Sequence, residues 1–327
     1  MAKTTEPTLA AIIPAHNAGV YIERCLRGLL SAGFSAKEIV LVDDASTDHT
    51  VDIARTFNIE PVSLENNVGA AEARNVGAYA SDADILFFVD ADVVVHPDAR
   101  ARVLAFFKEH PDHAAVFGSY DDDPAADTLV SRFRNLLHRH VHVENAGEAV
   151  TFWTGCGAVK RSAFEQVGGF DAGQAMMEDI KLGLELTARG EQIHLDPAIQ
   201  GKHLKRWTLR TMFHTDMFHR AIPWTRMLQT ELGEASSYAL NLNLKGRLSG
   251  IAIAASLLGL MALFTNVALG ATLIVFALGL LVYANGRFLK TMHAERGILE
   301  AATAIPLLWL HYLAACLGYA WVLLRLP

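Results

Sequence analysis

Over its first part the chain alternates short apolar runs with stretches whose apolar residues recur at helical spacing. Leu9–Ile13 is a continuous apolar run and predicts a buried strand ending at Pro14, while Val20–Leu30 carries the three- and four-residue spacing of an amphipathic helix. Glu38–Val42 predicts a second strand closing on Asp43 and Asp44, and Ser46–Phe57 opens with Ser/Thr/Asp capping chemistry and continues as a helix. Pro61–Leu64, Ala70–Ala80 and Asp84–Val89 predict a third strand, a third helix and a fourth strand, the last ending on Asp90-Ala91-Asp92. Strand–helix alternation of this kind implies an α/β domain: a mainly parallel sheet with helices on both faces. Such sheets bind ligands beyond the carboxyl ends of their strands. The acids at 43, 44, 90 and 92 all fall on that edge.

The pattern then changes. No Asp, Glu, Lys or Arg occurs from Leu248 to Ala284, nor from Ala301 to Leu324. A bilayer core takes about 20 apolar helical residues, so the first block predicts two spans turning near Thr265-Asn266 and the second predicts one more. Pro306 would kink that third span, and His311 would face a partner helix. Lys245 and Arg247 precede the first span, Arg287, Lys290 and Arg296 lie between the second and third, and the Thr265-Asn266 turn carries no basic residue. The positive-inside rule then leaves the N-terminal part and the 285–300 loop cytosolic. The competing reading is a pair of core helices in a soluble fold. Between 208 and 246 lies an amphipathic segment: Leu209, Met212, Phe213 and Met217 share a helical face, Pro223 breaks the helix, and Trp224 suits the membrane interface. The expected division is a catalytic domain at 1–207, a juxtamembrane segment at 208–246 and a transmembrane domain at 247–327.

Composition agrees with a chain of two characters. Of 327 residues, 52% are hydrophobic and 19% charged, and the mean hydropathy is +0.24, above an ordinary soluble domain. A net charge of −7 argues against nucleic acid as a partner, since that affinity needs a basic face. The 3 cysteines (Cys25, Cys156, Cys316) are far apart and give neither a zinc knuckle nor a disulfide framework. The N-terminus has no basic region followed by a long apolar run, so no signal peptide is expected.

Several groups carry candidate chemistry. Asp90 and Asp92 at a strand end offer hard oxygen ligands to Mg2+ or Mn2+, or simply build a turn. Glu178 and Asp179 open an amphipathic helix, where they act either in catalysis or as acids favourable to the helix dipole. His138, His140 and His142 share a face if extended and suit zinc only then; a solvated or acceptor-facing loop is the simpler expectation. Asp121-Asp122-Asp123 reads as a solvated loop. No GxGxxG follows the first strand and no P-loop occurs, which weakens dinucleotide binding and P-loop hydrolysis.

IIPAHN, LVDDASTD, NNVGAAEARNVG, FFVDADVVVHPDA, WTGCGAVKRSAFEQVGGFD, MEDIKLGLELTARG and HLKRW follow one another in that order between residues 9 and 210. Together they resemble a membrane-bound family 2 inverting glycosyltransferase of the GT-A fold, using a nucleotide-diphosphate sugar. The resemblance implies that Pro14 and Ala15 border the nucleotide, that Asp44 hydrogen-bonds the base, commonly uracil, and that Arg74 lies on the nucleotide side. It implies metal contact by Asp92, with Asp90 nearer the sugar and ribose, and a catalytic base at Asp179 with Glu178 beside it. His203-Leu204-Lys205-Arg206-Trp207 resembles the QxxRW element with His for Gln. His203 would contact the diphosphate or complete the metal site, Arg206 would pair with diphosphate oxygens, and Trp207 would wall the acceptor side. A basic-aromatic patch at the lipid surface is the other reading of that element. Gly155 and Cys156 would line the acceptor cleft, with the thiol structural. Ala18 stands where many relatives carry an acid, so Asn17 is not taken as a ligand.

These implications converge on a metal-dependent hexosyltransferase in the cell membrane, with its active site cytosolic and a UDP-sugar favoured as donor. Its acceptor would be a lipid or polyprenyl phosphate. A nucleotidyltransferase and a membrane scaffold with a lost sugar-transferase activity are the alternatives. The first would need a glycine-rich basic loop after the first strand, which PAHNAG does not supply.

Overall fold

A computed structural model describes residues 7–173, 176–229 and 244–325. The chain divides into two compact units, one of residues 1–125 and 141–205, the other of residues 126–140 and 206–327.

The first unit is built on a mixed sheet. Strands β1 (Leu9–Ala15), β2 (Ile39–Asp43), β3 (Val62–Ser63) and β4 (Ile85–Val89) pair in parallel in the order β3-β2-β1-β4. The order continues through β8 (Cys156–Lys160), β6 (His113–Tyr120), β9 (Gln192–His203) and β5 (Val93–Val95), with β7 (Gly147–Ala149) also on β9. β8 is antiparallel to both β4 and β6, β6 and β9 run parallel, and β5 and β7 lie antiparallel to β9. The parallel half is the part its sequence pattern announces.

Both faces of the central strands are buried, which is why they read as unbroken apolar runs. Leu9, Ala11 and Ile13 of β1 and Ile85, Phe87 and Val89 of β4 enter one core, with Leu26 and Leu29 of helix α1 (Ile22–Ser31). Ala10, Ile12, Leu86 and Phe88 enter the other, with Phe164, Phe170, and Leu182 and Leu186 of helix α7 (Glu178–Ala188). The other helices here are α2 (Thr50–Thr56), α3 (Ala70–Tyr79), α4 (Ala99–Glu109) and α6 (Arg161–Gln166).

Local chemistry moves several boundaries. β1 runs through Pro14 to Ala15 rather than stopping at the proline. Pairing with β4 ends at Ile12 while pairing with β2 continues, so that side of the ladder needs no N–H from Pro14. α2 starts at Thr50, not Ser46, because the residues before it are held elsewhere. Asn17 N–H donates to Ser46 Oγ (2.9 Å), Thr47 N–H to Asn17 Oδ1 (2.9 Å) and Gly19 N–H to Asp48 Oδ2 (2.8 Å), knitting the loops after β1 and β2 together. The 138–142 histidines lie on helix α5 (Leu129–Glu144), not on an extended segment or loop, which turns His140 away from the face shared by His138 and His142 and removes the three-histidine zinc reading. His142 Nδ1 is 2.8 Å from the Gly118 carbonyl oxygen. Asp121 is not solvated either: it is 4% exposed, 3.1 Å from His96 Nε2, with Lys202 bonded to Asp123 beside it.

The second unit is helical. α8 (Leu209–His214), a π-helical turn (Thr215–Ala221) and α9 (Ile222–Met227) form one continuous run, so Pro223 does not break the segment. It lies in the first turn after the π register, where its missing N–H costs little. The rest of the expected juxtamembrane stretch, 230–243, lies outside the described residues. α10 (Leu244–Ala262) and α11 (Val267–Ala284) are two apolar helices, with Asn266 capping the second by accepting from Leu269 N–H at 3.0 Å. The connector carries a helix of its own, α12 (Gly286–Arg296), and α13 (Ile298–Arg325) contains Pro306.

Leu244–Ala262, Val267–Ala284 and Ile298–Leu324 are long and apolar enough to cross a membrane. In the first two, 22% of the most apolar window is buried, and side chains such as Leu258 (54% exposed) and Phe276 (57%) face outward. Core helices would hide them. Polar bonds tie these helices together: Trp309 Nε1–H donates to Ser256 Oγ (2.9 Å), Tyr312 O–H to Asn285 Oδ1 (3.1 Å) and Asn285 Nδ2–H to Ser249 Oγ (3.0 Å). His311 does meet a partner helix, its Nδ1 lying 2.8 Å from Asp216 Oδ2.

Candidate active site

The carboxyl ends of β1, β2 and β4 set the acids where the pattern places them. Asp44 follows β2 and donates its N–H to the Ala15 carbonyl (2.8 Å), so Ala15 is held by backbone pairing beside it. Its carboxylate accepts N–H bonds from Val68 (2.7 Å) and Gly69 (2.9 Å), at the entry to α3. A carboxylate has about four acceptor sites, so two are left for another donor. His16, unremarked in the sequence, has Nδ1 2.6 Å from the Asp44 carbonyl oxygen.

Arg74 joins two distant parts of the chain. Its guanidinium donates to Asp90 Oδ1 (2.8 Å) and to Glu178 Oε1 (2.5 Å), and it is 5% exposed. The base of this arrangement is fixed by Asn75, whose amide donates to the Phe170 carbonyl and accepts from Phe170 N–H, both at 2.8 Å. Phe170 in turn lies under Arg74, 5.7 Å from the guanidinium carbon to the ring centroid. Asn75 is a positioning residue that its adjacency to Arg74 alone hinted at.

Burial would lower the Arg74 pKa, but the charges of Asp90 and Glu178 outweigh it and push it above its ordinary value. Burial raises Asp90 despite Arg74. Asp179 is pushed up to about 7, first by burial and then by the charge of Glu178, with Arg74 opposing. A carboxylate so shifted is poised for proton transfer near neutrality. The expectation that Glu178 and Asp179 merely cap a helix misses the bond from Glu178 to Arg74.

Asp92 stands in a second group. Its Oδ2 is 3.5 Å from His203 Nε2, and the His203 ring is stacked on Tyr120 at 4.4 Å between centroids. Burial works against the Asp92 charge, but the His203 bond and charge bring its pKa below the ordinary value. Two ligands of one small divalent ion stand roughly 3 Å apart, so this oxygen–nitrogen pair fits one. Asp90, turned to Arg74, is the neighbouring acid. Tyr120 is another residue the sequence did not single out, since only the sheet brings it to His203.

Cys156 pairs with Val89 across β8 and β4 and is fully buried. Burial and the charge of Asp90 push its thiol well up, as burial with Asp92 and Asp90 does for Cys25. A thiol so buried and so raised is a poor nucleophile. A Cβ on Gly155 would fall 2.2 Å from the Trp153 ring, and one on Gly157 would fall 2.2 Å from the Trp153 carbonyl oxygen. These glycines make room for Trp153 itself. Arg206 and Trp207 belong to the second unit, where Trp207 is 9% exposed beneath the Arg134 guanidinium, 4.9 Å from its ring centroid, and donates its N–H to Ser131 Oγ at 2.9 Å.

Residues 10–168 match the family model described as "Glycosyl transferase family 2". The O-antigen chain rhamnosyltransferase RfbN of Salmonella typhimurium is 25% identical over 246 residues, covering 69% of this chain and 76% of RfbN. WbaN of Salmonella anatum, likewise an O-antigen chain rhamnosyltransferase, is 26% identical over 246 residues, covering 70% of this chain and 76% of its own length. Among solved structures, the mannosyltransferase PcManGT of Pyrobaculum calidifontis, in complex with GDP-Man and Mn2+, superposes with a TM-score of 0.61 at 17% identity, covering 97% of this chain and 88% of that one. At that identity the likeness is one of fold. Residues 10–168 therefore carry a family 2 glycosyltransferase domain, the fold is GT-A, and three helices of the chain have the length and apolarity of membrane spans.

Proposed function

We propose that the protein is a membrane-anchored inverting glycosyltransferase that moves a sugar from a nucleoside-diphosphate sugar to a lipid or lipid-linked acceptor at the cytosolic face. The observation that carries this reading is the pair of hydrogen bonds that Arg74 donates to Asp90 and Glu178. It ties the end of β4 to the start of α7, so the acids expected on the donor side and the base expected on the acceptor side share one rigid frame.

In this reading Pro14 and Ala15 border the nucleotide, and Asp44 offers its free acceptor sites to the base, which favours a uracil imide. Asp90 faces the sugar. Asp92 and His203 would hold Mn2+ or Mg2+, and a cation bound there would supply positive charge beside the diphosphate. The acceptor oxygen attacks the anomeric carbon from the face opposite the diphosphate. As the new carbon–oxygen bond forms, the bond to the diphosphate oxygen breaks and its electron pair leaves with that oxygen. Asp179 takes the acceptor hydroxyl proton. A polyprenyl phosphate is already anionic and would need no such base.

Support for the acceptor class comes from RfbN and WbaN, both O-antigen chain transferases by name, and for nucleotide sugar and metal from the GDP-Man and Mn2+ of PcManGT. Orientation rests on the basic residues flanking the spans, Lys245, Arg247, Arg287, Lys290 and Arg296. The test is Asp179→Asn in the full chain, with nucleotide-sugar and lipid-extract panels and Mn2+. Transfer to a hydroxyl acceptor should fall by about 100-fold or more while nucleoside-diphosphate binding persists. Near-normal transfer would remove Asp179 from the reaction.

A further inference from the structure

At the opposite edge of the sheet from these acids lies a histidine-rich cluster that the reaction does not use. His113 opens β6, Glu148 is the middle residue of β7, and His194 lies near the start of β9. One donor atom from each lies within 4.8 Å of the other two; among the described residues this is the one such group of three. His113 Nε2 is 2.9 Å and His194 Nδ1 is 3.6 Å from the same Glu148 oxygen, Oε1. His110, at the end of α4, brings a third imidazole, its centroid 5.3 Å from that of His113 and 6.1 Å from that of His194.

The backbone has to be irregular for this to happen. Ala114 and Ala115 both enter the core containing Phe117, whereas Val116 enters the other. The register of β6 on β9 shifts between His113 and Ala115. That bulge turns His113 away from the core of Ala115 and onto the face of Val116, where Phe106 packs against it at 5.4 Å and His194 at 5.8 Å between ring centroids. Val116 pairs directly with His194, and His194 directly with Glu148. Without the bulge, simple alternation would send His113 to the other side of the sheet.

We infer that His113, His194 and Glu148 form a second metal site, selective for a borderline transition ion such as Zn2+, with His110 rotating in as the fourth ligand. Two or three imidazoles with one carboxylate suit Zn2+, whereas Mg2+ and Ca2+ prefer oxygen alone. Ligands around a four-coordinate zinc stand roughly 3.3 Å apart, from its bond lengths of about 2.0 Å. The 2.9 and 3.6 Å separations to Glu148 straddle that value. The ion would join the end of α4 to β6, β7 and β9, a structural role apart from sugar transfer.

The test uses the full chain, stripped of metal and titrated with Zn2+ against a chromogenic chelator, and with Co2+ as a spectroscopic probe. Asp92→Asn, which alters the crevice at the other edge, should retain one tight Zn2+ and the intense visible absorption of four-coordinate Co2+. The pair His113→Gln and His194→Gln should weaken Zn2+ binding about 100-fold and abolish that absorption. Glu148→Gln removes one exposed ligand without disturbing the core, and should weaken binding about 10-fold while helix content is unchanged. Unaltered Zn2+ affinity in these three variants would overturn the site. So would loss of the tight Zn2+ in Asp92→Asn, or a six-coordinate Co2+ spectrum as the only one in that variant.

Discussion

Asp179 lies where burial and the charge of Glu178 both oppose its ionisation, and its pKa of about 7 sets two pH dependences of opposite sense. The folded state favours the protonated form. Its contribution to stability is therefore fully present below the ordinary carboxylate value, about pH 4, and is lost as pH rises through 7. Proton abstraction needs the ionised form, so kcat for a hydroxyl acceptor should rise with pH through about 7 and level off above it. Glu178→Gln removes the like charge and should move that midpoint to lower pH. A kcat profile flat between about pH 5 and 9 would count against Asp179 as the base. The acids were legible in the sequence one by one. Their grouping was not: nothing in EARN or MEDIKL shows that Arg74 bonds both Asp90 and Glu178, because that bond depends on how α3 and α7 pack.

At the scale of elements, α7 is set by one glycine. A Cβ on Gly183 would lie 2.3 Å from Phe152 N and 2.4 Å from the Thr151 carbonyl carbon, so the helix rests directly on that backbone. Gly183→Ala has to push α7 outward and carry Glu178 and Asp179 with it. A shift of about 1 Å should lower kcat roughly 100-fold and cost about 1–3 kcal/mol of stability. Steady-state kinetics and thermal unfolding check the two effects, while nucleotide binding, assigned in the proposed reading to the ends of β1, β2 and β4, should change little. Elements buried on both sides were plain from their apolar runs, as β1 and β4 were. Segments governed by polar side chains were not. Ser46–His49 looks like the start of a helix, but bonds with Asn17 and Gly19 hold it as a loop. Asp121 looks like part of a solvated run, but His96 and Lys202 meet it inside.

At the scale of the whole molecule, each of the two units has its own source of cohesion. The first has two apolar cores on either side of a sheet. The second adds a buried polar network to its apolar packing: Arg134 donates to Asp216 Oδ1 at 2.7 Å, and His311 Nδ1 lies 2.8 Å from Asp216 Oδ2. Burial would raise the Asp216 pKa, but the charges of His311 and Arg134 hold it well below the usual carboxylate range. Its stabilisation is thus fully present above about pH 4 and is lost as pH falls through the depressed folded value. Asp216→Ala leaves Arg134 buried without that partner and should cost about 3–5 kcal/mol. Thermal unfolding of the detergent-solubilised chain reads this loss; an unchanged midpoint would show that the network is not stabilising.

The sequence alone determined the strand–helix alternation of the N-terminal part, the edge on which the acids lie, the three apolar helices and, through seven ordered motifs, the resemblance to family 2 glycosyltransferases. Each of these is written in local periodicity, charge-free length or residue type at a chain position. Tertiary structure alone decided what depends on contact between distant segments. It placed Tyr120 on His203 and tied α3 to β4 and α7 through Arg74. It put His140 on the other side of a helix from His138 and His142, and turned His113 through a bulge toward His194 and Glu148. Periodicity records which face a side chain takes along one element. Which side chains meet is fixed by register and packing between elements, and no local pattern carries that information.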